Sequence, residues 1–419
     1  MSLMPYGQKE KQNFNSFLNA QLYSFTNNIN TIIVDTNLLL KEFYQRYGNE
    51  NVAPELYFAP GRVNLIGEHT DYNGGYVLPC AISYGTYLLV RRTDEPVVKF
   101  ATTNFDFTAN VPLADLHVKQ PGKWINYPLA VIDQFVKLDV TIKGLELLYS
   151  GNIPNGAGLS SSASIEMVTA VALCNVFNYE MSMVDMAKLS RRAENEFVGM
   201  NCGIMDMFAI GMGQKNGALF LNCRTYGYDV IPANVAGYTL VIMNTNKQRG
   251  LTDSKYNERV EECHAALTAL SADGALEDLS DLTLEEFNKR SHLILDPVVS
   301  KRAHHVISEN ARVLAAVDAL KNNRIPEFGQ LMNASHDSLR TDYEVTGFEL
   351  DTIVDEARKI KGVIGARMTG AGFGGCAIAL VKDEQVKEFC DVVGKNYEEK
   401  TKLKPDFYIA EIGDGARKL

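Results

Sequence analysis

The chain is short of aromatic and thiol markers: one Trp and seven Cys in 419 residues. Seven is an odd number, and none of Cys80, Cys174, Cys202, Cys223, Cys263, Cys376 and Cys390 stands in a Cys-x-x-Cys pair. That argues against a disulfide framework or a zinc cage and for free thiols in a reducing compartment, so a cytoplasmic location is expected. Positive charge is also scarce. Lys and Arg number 41 against 51 Asp and Glu, a net charge of −10. Bulk nucleic-acid binding, which needs a basic face, is thereby excluded. A phosphorylated ligand would have to be held by local main-chain amides, a metal and a few cations. No apolar run is long enough to span a bilayer, and the N-terminus has no basic-then-apolar signal pattern, so no membrane partner is expected. What remains is 46% hydrophobic and 22% charged, the balance of a soluble globular enzyme. The length exceeds one ordinary core, so two domains are expected.

The organising stretch is Gly151 to Glu166, GNIPNGAGLSSSASIE. A strand-like run (Leu145, Leu147, Leu148, Tyr149) precedes it and an apolar helix-like run (Ile165, Val168, Val171, Ala172, Leu173) follows. Strand, small-residue turn and helix form a phosphate-binding arrangement. Gly156 and Gly158 permit close backbone approach, and the free first-turn amides with the positive dipole end face an anion. Ser160, Ser161 and Ser162 add hydroxyls for a cap, a phosphate or a metal. The stretch lacks the Lys of a Walker loop and the third Gly of a dinucleotide fingerprint. Taken alone it fits an ordinary helix cap equally well.

Taken in order, residues 1–30 are polar, with a weak helical pattern at Phe14, Phe17, Leu18 and Leu22. Ile32 to Tyr47 has the periodicity of an amphipathic helix. After the short strand Leu56-Tyr57-Phe58 comes RVNLIGEHTDYNGG, Arg62 to Gly75. An Arg, a His and two carboxylates in one loop are poor stability devices and suit a hydroxyl-rich ligand. Trp124 to Leu138 reads as an apolar helix in which Trp124 and Tyr127 share a face, either as core packing or as a wall for a base. Glu194 and Glu196 fall in the last turn of a helix from Val184 to Val198, a mildly unfavourable place for acids unless a cation is near. Asp206 stands among Ile204, Met205, Met207 and Phe208, as a buried structural group or a catalytic acid/base. Asp253 to Leu270 is a helix carrying Tyr256. His304-His305 reads as a surface pair on a helix from His304 to Lys321. A second Gly-rich run, MTGAGFGGCAIAL from Met368 to Leu380, precedes a strand and implies tight backbone approach. The pattern is α+β, with a division near Gly211 to Lys215.

Three stretches together, APGRVNLIGEHTDYNGGYVLPCAI (Ala59 to Ile82), GAGLSSSAS (Gly156 to Ser164) and GARMTGAGFGGCAIAL (Gly365 to Leu380), resemble the three motifs of the GHMP small-molecule kinases. The first is similar to the galactokinase signature in particular. The resemblance runs from about Ile32 to Leu419 and leaves residues 1–30 outside. It implies a two-domain GHMP kinase fold of mixed sheets and helices, with residues 31–213 and 214–419 as the domains and the active site in the cleft between them. It implies phosphoryl transfer from ATP to the anomeric hydroxyl of galactose, with N-acetylgalactosamine phosphorylation or a non-catalytic sugar sensor as alternatives. By position, Arg62 matches the transition-state arginine and Asp206 the catalytic aspartate. Glu68, His69, Thr70, Asp71, Gly203 and Tyr256 match the sugar site. Gly156, Ala157, Gly158, Leu159, Ser160, Ser161 and Ser162 match the phosphate loop, and Trp124 and Tyr127 the adenine pocket. Ser162 and Glu194 match the Mg²⁺ ligands. A monomer acting on a small sugar and ATP is expected. One position departs from the pattern: Met207 stands where the family usually has Gln.

Overall fold

The computed structural model describes residues 21–26, 29–49, 52–154, 156–233, 235–247, 252–271, 274 and 276–419. Two six-stranded sheets carry the architecture, with a small three-stranded sheet beside them. The first sheet runs in the order Arg417–Lys418, Glu55–Asn64, Pro79–Thr93, Gly144–Gly151, Val97–Thr102, Phe107–Pro112. Its strands pair antiparallel except Gly144–Gly151 and Val97–Thr102, which pair parallel. The helices Asn126–Lys137, Ser161–Val176, Met183–Ala193 and Met205–Met212 belong to the same unit. Their apolar faces share a core with the strands through Phe100, Leu129, Phe135, Leu147, Val168 and Phe208.

The second sheet runs in the order Gln21–Thr26, Ile29–Val34, Asp406–Ile409, Tyr238–Asn244, Cys376–Lys382, Val363–Met368. Its core holds Val241, Phe287, Tyr343, Phe389 and Phe407. The chain's ends cross over: the strand Ile29–Val34 joins the second sheet at Phe407, while Arg417 and Lys418 pair with Phe58 and Tyr57 of the first. A third apolar cluster joins the units, with Val63, Ile66, Leu78 and Leu159 packed among Val313, Phe328 and Ile378. Dense packing of this kind gives the cavity above it a firm floor.

Several expected boundaries move. Leu22 lies in a strand, not a helix, and Phe14, Phe17 and Leu18 fall outside the described residues. The helix expected from Ile32 starts at Thr36. Asp35 caps it, accepting from the amides of Asn37 and Leu38, while Ile32 and Val34 belong to a strand. A side-chain cap sets the first turn more strongly than the apolar periodicity upstream of it. Trp124 precedes its helix, which begins at Asn126. The helix expected from His304 begins at Pro297, capped by Asp296. His305 is not on the surface: it is fully buried, with Nδ1 on Ser338 Oγ at 2.9 Å and Nε2 on the Glu68 carbonyl at 3.2 Å.

Candidate active site

A cavity of about 470 Å³ opens where the phosphate loop, the first sheet and the second unit meet. The strand Glu55–Asn64 delivers Arg62 to it through a bulge, since the register with Pro79–Thr93 shifts between Pro60 and Arg62. Gly61 makes the bulge possible. A Cβ there would lie 2.6 Å from the Leu159 carbonyl. The Arg62 amide instead donates to that carbonyl at 3.2 Å, which clamps the strand to the phosphate loop.

Arg62 is the geometric centre. Its Nε donates to Asp206 Oδ1 at 2.8 Å and its Nη2 to Oδ2 at 2.9 Å, a bidentate fork. Its Nη1 donates to the Gly158 carbonyl at 2.8 Å. Asp206 sits in the first turn of the helix Met205–Met212 and receives a further hydrogen bond from the Ser160 hydroxyl. Ser160 has φ 62 and ψ 50, a left-handed conformation that a residue with a Cβ adopts at a cost. That strain aims its side chain at Asp206 while the helix Ser161–Val176 departs behind it. No side chain caps this helix. Gly156 (φ +69) and Gly158 (φ +76) supply the positive φ angles the loop needs.

The sugar-loop residues enter from the opposite side. The carboxylate of Glu68, almost fully buried, accepts from Arg367 Nη1 at 2.9 Å, from the Gly370 amide at 2.7 Å and from Asn64 Nδ2. His69 has φ 64 and its Nδ1 meets Tyr72 Oη at 2.8 Å. Its Nε2 is buried, and the ring reaches the Ala371 backbone. Burial holds the imidazole well below its ordinary range, at about 3, so it is neutral at neutral pH. Tyr72 Oη continues to Tyr343 Oη at 2.7 Å, and the Tyr256 ring lies 5.7 Å from His69. Burial, and after it the negative charge of Asp206, push Asp71 up to about 6. Gly203 faces Asp71 so closely that a Cβ would fall 1.7 Å from Oδ2.

Of the residues expected in the site, all but Thr70 line this one cavity. Thr70 Oγ1 is engaged with the carbonyls of Gly67 and Tyr76, at 2.9 and 2.8 Å, and closes the loop. Met207 is fully buried in the first unit's core, so its side chain packs rather than faces the cavity. Trp124 packs against Phe107 and Tyr149, with ring centres at 5.8 and 5.2 Å, and also lines the cavity with Tyr127. The two acids on the helix end diverge. Glu194 is buried at the cavity, and Glu196 is on the surface with Lys137 at 3.3 Å. Two residues apart, they already point to opposite sides of the turn, here the π-helical turn Glu194–Val198 that ends the helix.

Sequence reasoning missed Asn104, Phe105, Cys202, Gly370 and Ala371, which also line the cavity. The two from the Gly-rich run were foreseeable as a place of close approach. Asn104 and Phe105 lie between two strands and carry no local signal. The supports of the sugar loop were missed as well: Arg367, Glu309 (whose Oε1 accepts from the Gly67 amide at 2.9 Å) and His305 are all buried behind it.

Comparison with known proteins gives a consistent picture. Residues 41–92 match the family profile described as the galactokinase galactose-binding signature. Residues 126–214 match the GHMP kinases N-terminal domain and 316–399 the GHMP kinases C-terminal domain. A galactokinase of Fusobacterium nucleatum is 48% identical over 387 residues, 91% of this chain and 99% of the relative. A galactokinase of Clostridium acetobutylicum is 50% identical over 382 residues, 90% of this chain and 97% of the relative. Among solved structures, that of Lactococcus lactis galactokinase complexed with galactose superposes with a TM-score of 0.90 at 44% identity. It covers 92% of this chain and all of the other.

Proposed function

The chain belongs to the galactokinases, within the GHMP kinases, and from that premise we propose how this cavity performs the transfer of the γ-phosphoryl of ATP to galactose, giving galactose 1-phosphate. The observation that carries the reading is the junction of Arg62, Asp206 and Ser160. There Arg62, itself the first residue of the sugar loop, joins the Gly158 carbonyl of the phosphate loop to Asp206, to which Ser160 also donates.

The base lies against Trp124 and Tyr127, and the phosphate tail follows Gly156 to Ser162 onto the uncapped amides of the helix Ser161–Val176. The sugar lies over Asp71, Gly203 and Tyr256. His69, neutral and with its ring against the Ala371 backbone, lines the sugar's side of the cavity. Glu68 lines the same wall but is already engaged, so its main service is to lock the loop to Gly370. Asp206 orients the anomeric hydroxyl and takes its proton, and Arg62 neutralises charge on the transferred group. Phosphoryl transfer has a loose transition state and asks chiefly for positioning and charge neutralisation, which a buried guanidinium provides.

The residues present also fit a Mg²⁺ ion. Ser162 and Glu194 both line the cavity near the phosphate loop, and a hydroxyl with one carboxylate is a usual protein share for an ion that keeps phosphate oxygens and water as its other ligands. Held there, such an ion would offset charge on the phosphate oxygens. We take residues 31–213 and 214–419 as the two catalytic domains, with the exchanged end strands tying them together.

A coupled ADP-release assay over a panel of hexoses tests the reading. Turnover on galactose is expected, with N-acetylgalactosamine and glucose far behind, because a pocket built around hydroxyl hydrogen bonds rejects analogues that leave its groups unpaired. Comparable rates on glucose and galactose would refute the specificity, and binding without turnover would refute the catalysis.

A further inference from the structure

We propose that Glu166 is an outer carboxylate of the cation site, receiving hydrogen bonds from the water molecules that a Mg²⁺ ion held by Ser162 and Glu194 keeps. The inference rests on the cation site described above.

Glu166 lies on the second turn of the helix Ser161–Val176. It is four residues past Ser162, so the two side chains share a face. It is completely buried, and neither of its carboxylate oxygens has a hydrogen-bond partner among the described residues. Such groups are rare in folded proteins, because a buried carboxylate without donors costs several kcal/mol. The charged groups that act on it are Glu194 and Asp206, both acids, and the Cys202 thiol lies in the same field. Asp206 is matched by Arg62, but Glu166 has no such cation. Without a donor this buried carboxyl, set between two acids, is a cost to the resting enzyme, and a divalent ion with its bound waters is the missing partner that offsets it. Mg²⁺ gives up its waters reluctantly, and those waters are donors seeking acceptors just outside the inner ligands. Glu166 does not itself line the cavity, but Glu194 and the Cys202 thiol, which do, lie in its field, so its carboxylate backs the wall against which such waters would sit. This makes Glu166 a positioning residue: it acts through the ion's water, not on the substrate.

The test is Mn²⁺ binding to the full-length enzyme with ADP present, followed by electron paramagnetic resonance, so that no turnover is involved. Glu166→Gln keeps the shape, turns one acceptor oxygen into a donor and removes the charge the carboxylate would carry. Mn²⁺ affinity should fall about 10–100-fold, as for other outer-shell partners of metal ligands. Affinity for ADP without metal should be unchanged, and the melting temperature without metal should stay level or rise. Glu166→Met, an apolar side chain of similar length, guards against a fold specific to the amide and should lose Mn²⁺ affinity likewise. Unchanged Mn²⁺ affinity in either folded variant overturns the inference. Ser162→Ala and Glu194→Gln separate the two levels of the claim. If they leave Mn²⁺ affinity intact, the cation site itself is misplaced. If they weaken it and the Glu166 variants do not, only the role of Glu166 falls.

Discussion

At the phosphate loop the cavity is walled by main chain and small side chains, whereas at the sugar loop it is walled by large side chains whose other atoms are already engaged. The phosphate end spends conformation. Ser160 sits at φ 62, Gly156 and Gly158 sit at positive φ, and a helix end is left without a side-chain cap. The sugar end spends burial. Glu68, His69 and Asp71 are held by Arg367, Tyr72 and a close glycine, with His305 and Glu309 behind them. The difference follows the ligands. A phosphate tail is bulky, charged and similar in every nucleotide, so oriented amides suffice. A hexose differs from its isomers by the direction of one hydroxyl, so discrimination needs acceptors and donors that cannot move.

Breaking the junction between the two ends should have the largest effect. Arg62→Met should lower kcat by about 10³–10⁵ while nucleotide binding at the loop survives, as measured by ADP release and by titration with a non-hydrolysable ATP analogue. At the sugar end, Arg367→Met leaves the Glu68 carboxylate buried without its cation. Losing one member of a buried pair costs about 3–5 kcal/mol, so the melting temperature should drop sharply and the galactose KM should rise more than that for ATP. The matching change at the phosphate end is milder. Gly156→Ala meets no atom within 4 Å, so only its positive φ is penalised. A cost of about 1–2 kcal/mol is expected, read as a weaker ATP affinity with galactose KM unchanged. The smallest effect sharpens the contrast through pH. Asp71 titrates near about 6, so its carboxylate loses charge as pH falls below that value and galactose KM should rise by up to about tenfold per unit, with Asp71→Asn flat over the same range. Stability should move the opposite way in the two members of this loop. The raised Asp71 favours the fold at low pH and loses that contribution as pH rises through about 6. The depressed His69 favours it above the ordinary His range and loses its contribution as pH falls toward about 3. Asp71→Asn removes the offset, so its stability should decline more steeply on acidification than that of the parent, measured by thermal melts between these limits.

The same contrast explains what was legible in the sequence. Glycine spacing, serine run and following helix lie within sixteen residues, so the phosphate end declared itself as a motif. Asp206 could be singled out because a lone carboxylate in an apolar run needs a partner. Its partner, Arg62, is 144 residues away and came only through the resemblance. The sugar loop was recognisable as a crowd of polar groups, but its supports were not. The Gly370 amide reaches Glu68 from 302 residues on, and the Glu309 carboxylate reaches Gly67 from 242. His305 looked like half of a surface pair because nothing local shows that the helix Pro297–Lys321 turns that side toward the sugar loop. Thr70 was placed in the sugar site only by its position in the resemblance, and its hydroxyl is engaged in closing a turn. The π-helical turn at Glu194 was also invisible, since the extra residue in the turn follows from packing at the cavity and not from composition. Most long helices were readable, but the short ones Met205–Met212 and Leu284–Arg290 were not, and Leu22, read with a helical pattern, lies in a strand. Helix starts were misplaced where the cap, Asp35 inside the expected span or Asp296 ahead of it, set the first turn.

The central claim is that Asp206, held by Arg62 and Ser160, is where the two ends meet and react. It is tested most directly by Asp206→Asn, an isosteric change, with kcat measured at saturating ATP and galactose and both dissociation constants measured on the same sample. The account predicts a fall in kcat of about 10²–10⁴ with both ligands still bound. Turnover close to that of the unmodified enzyme would contradict it.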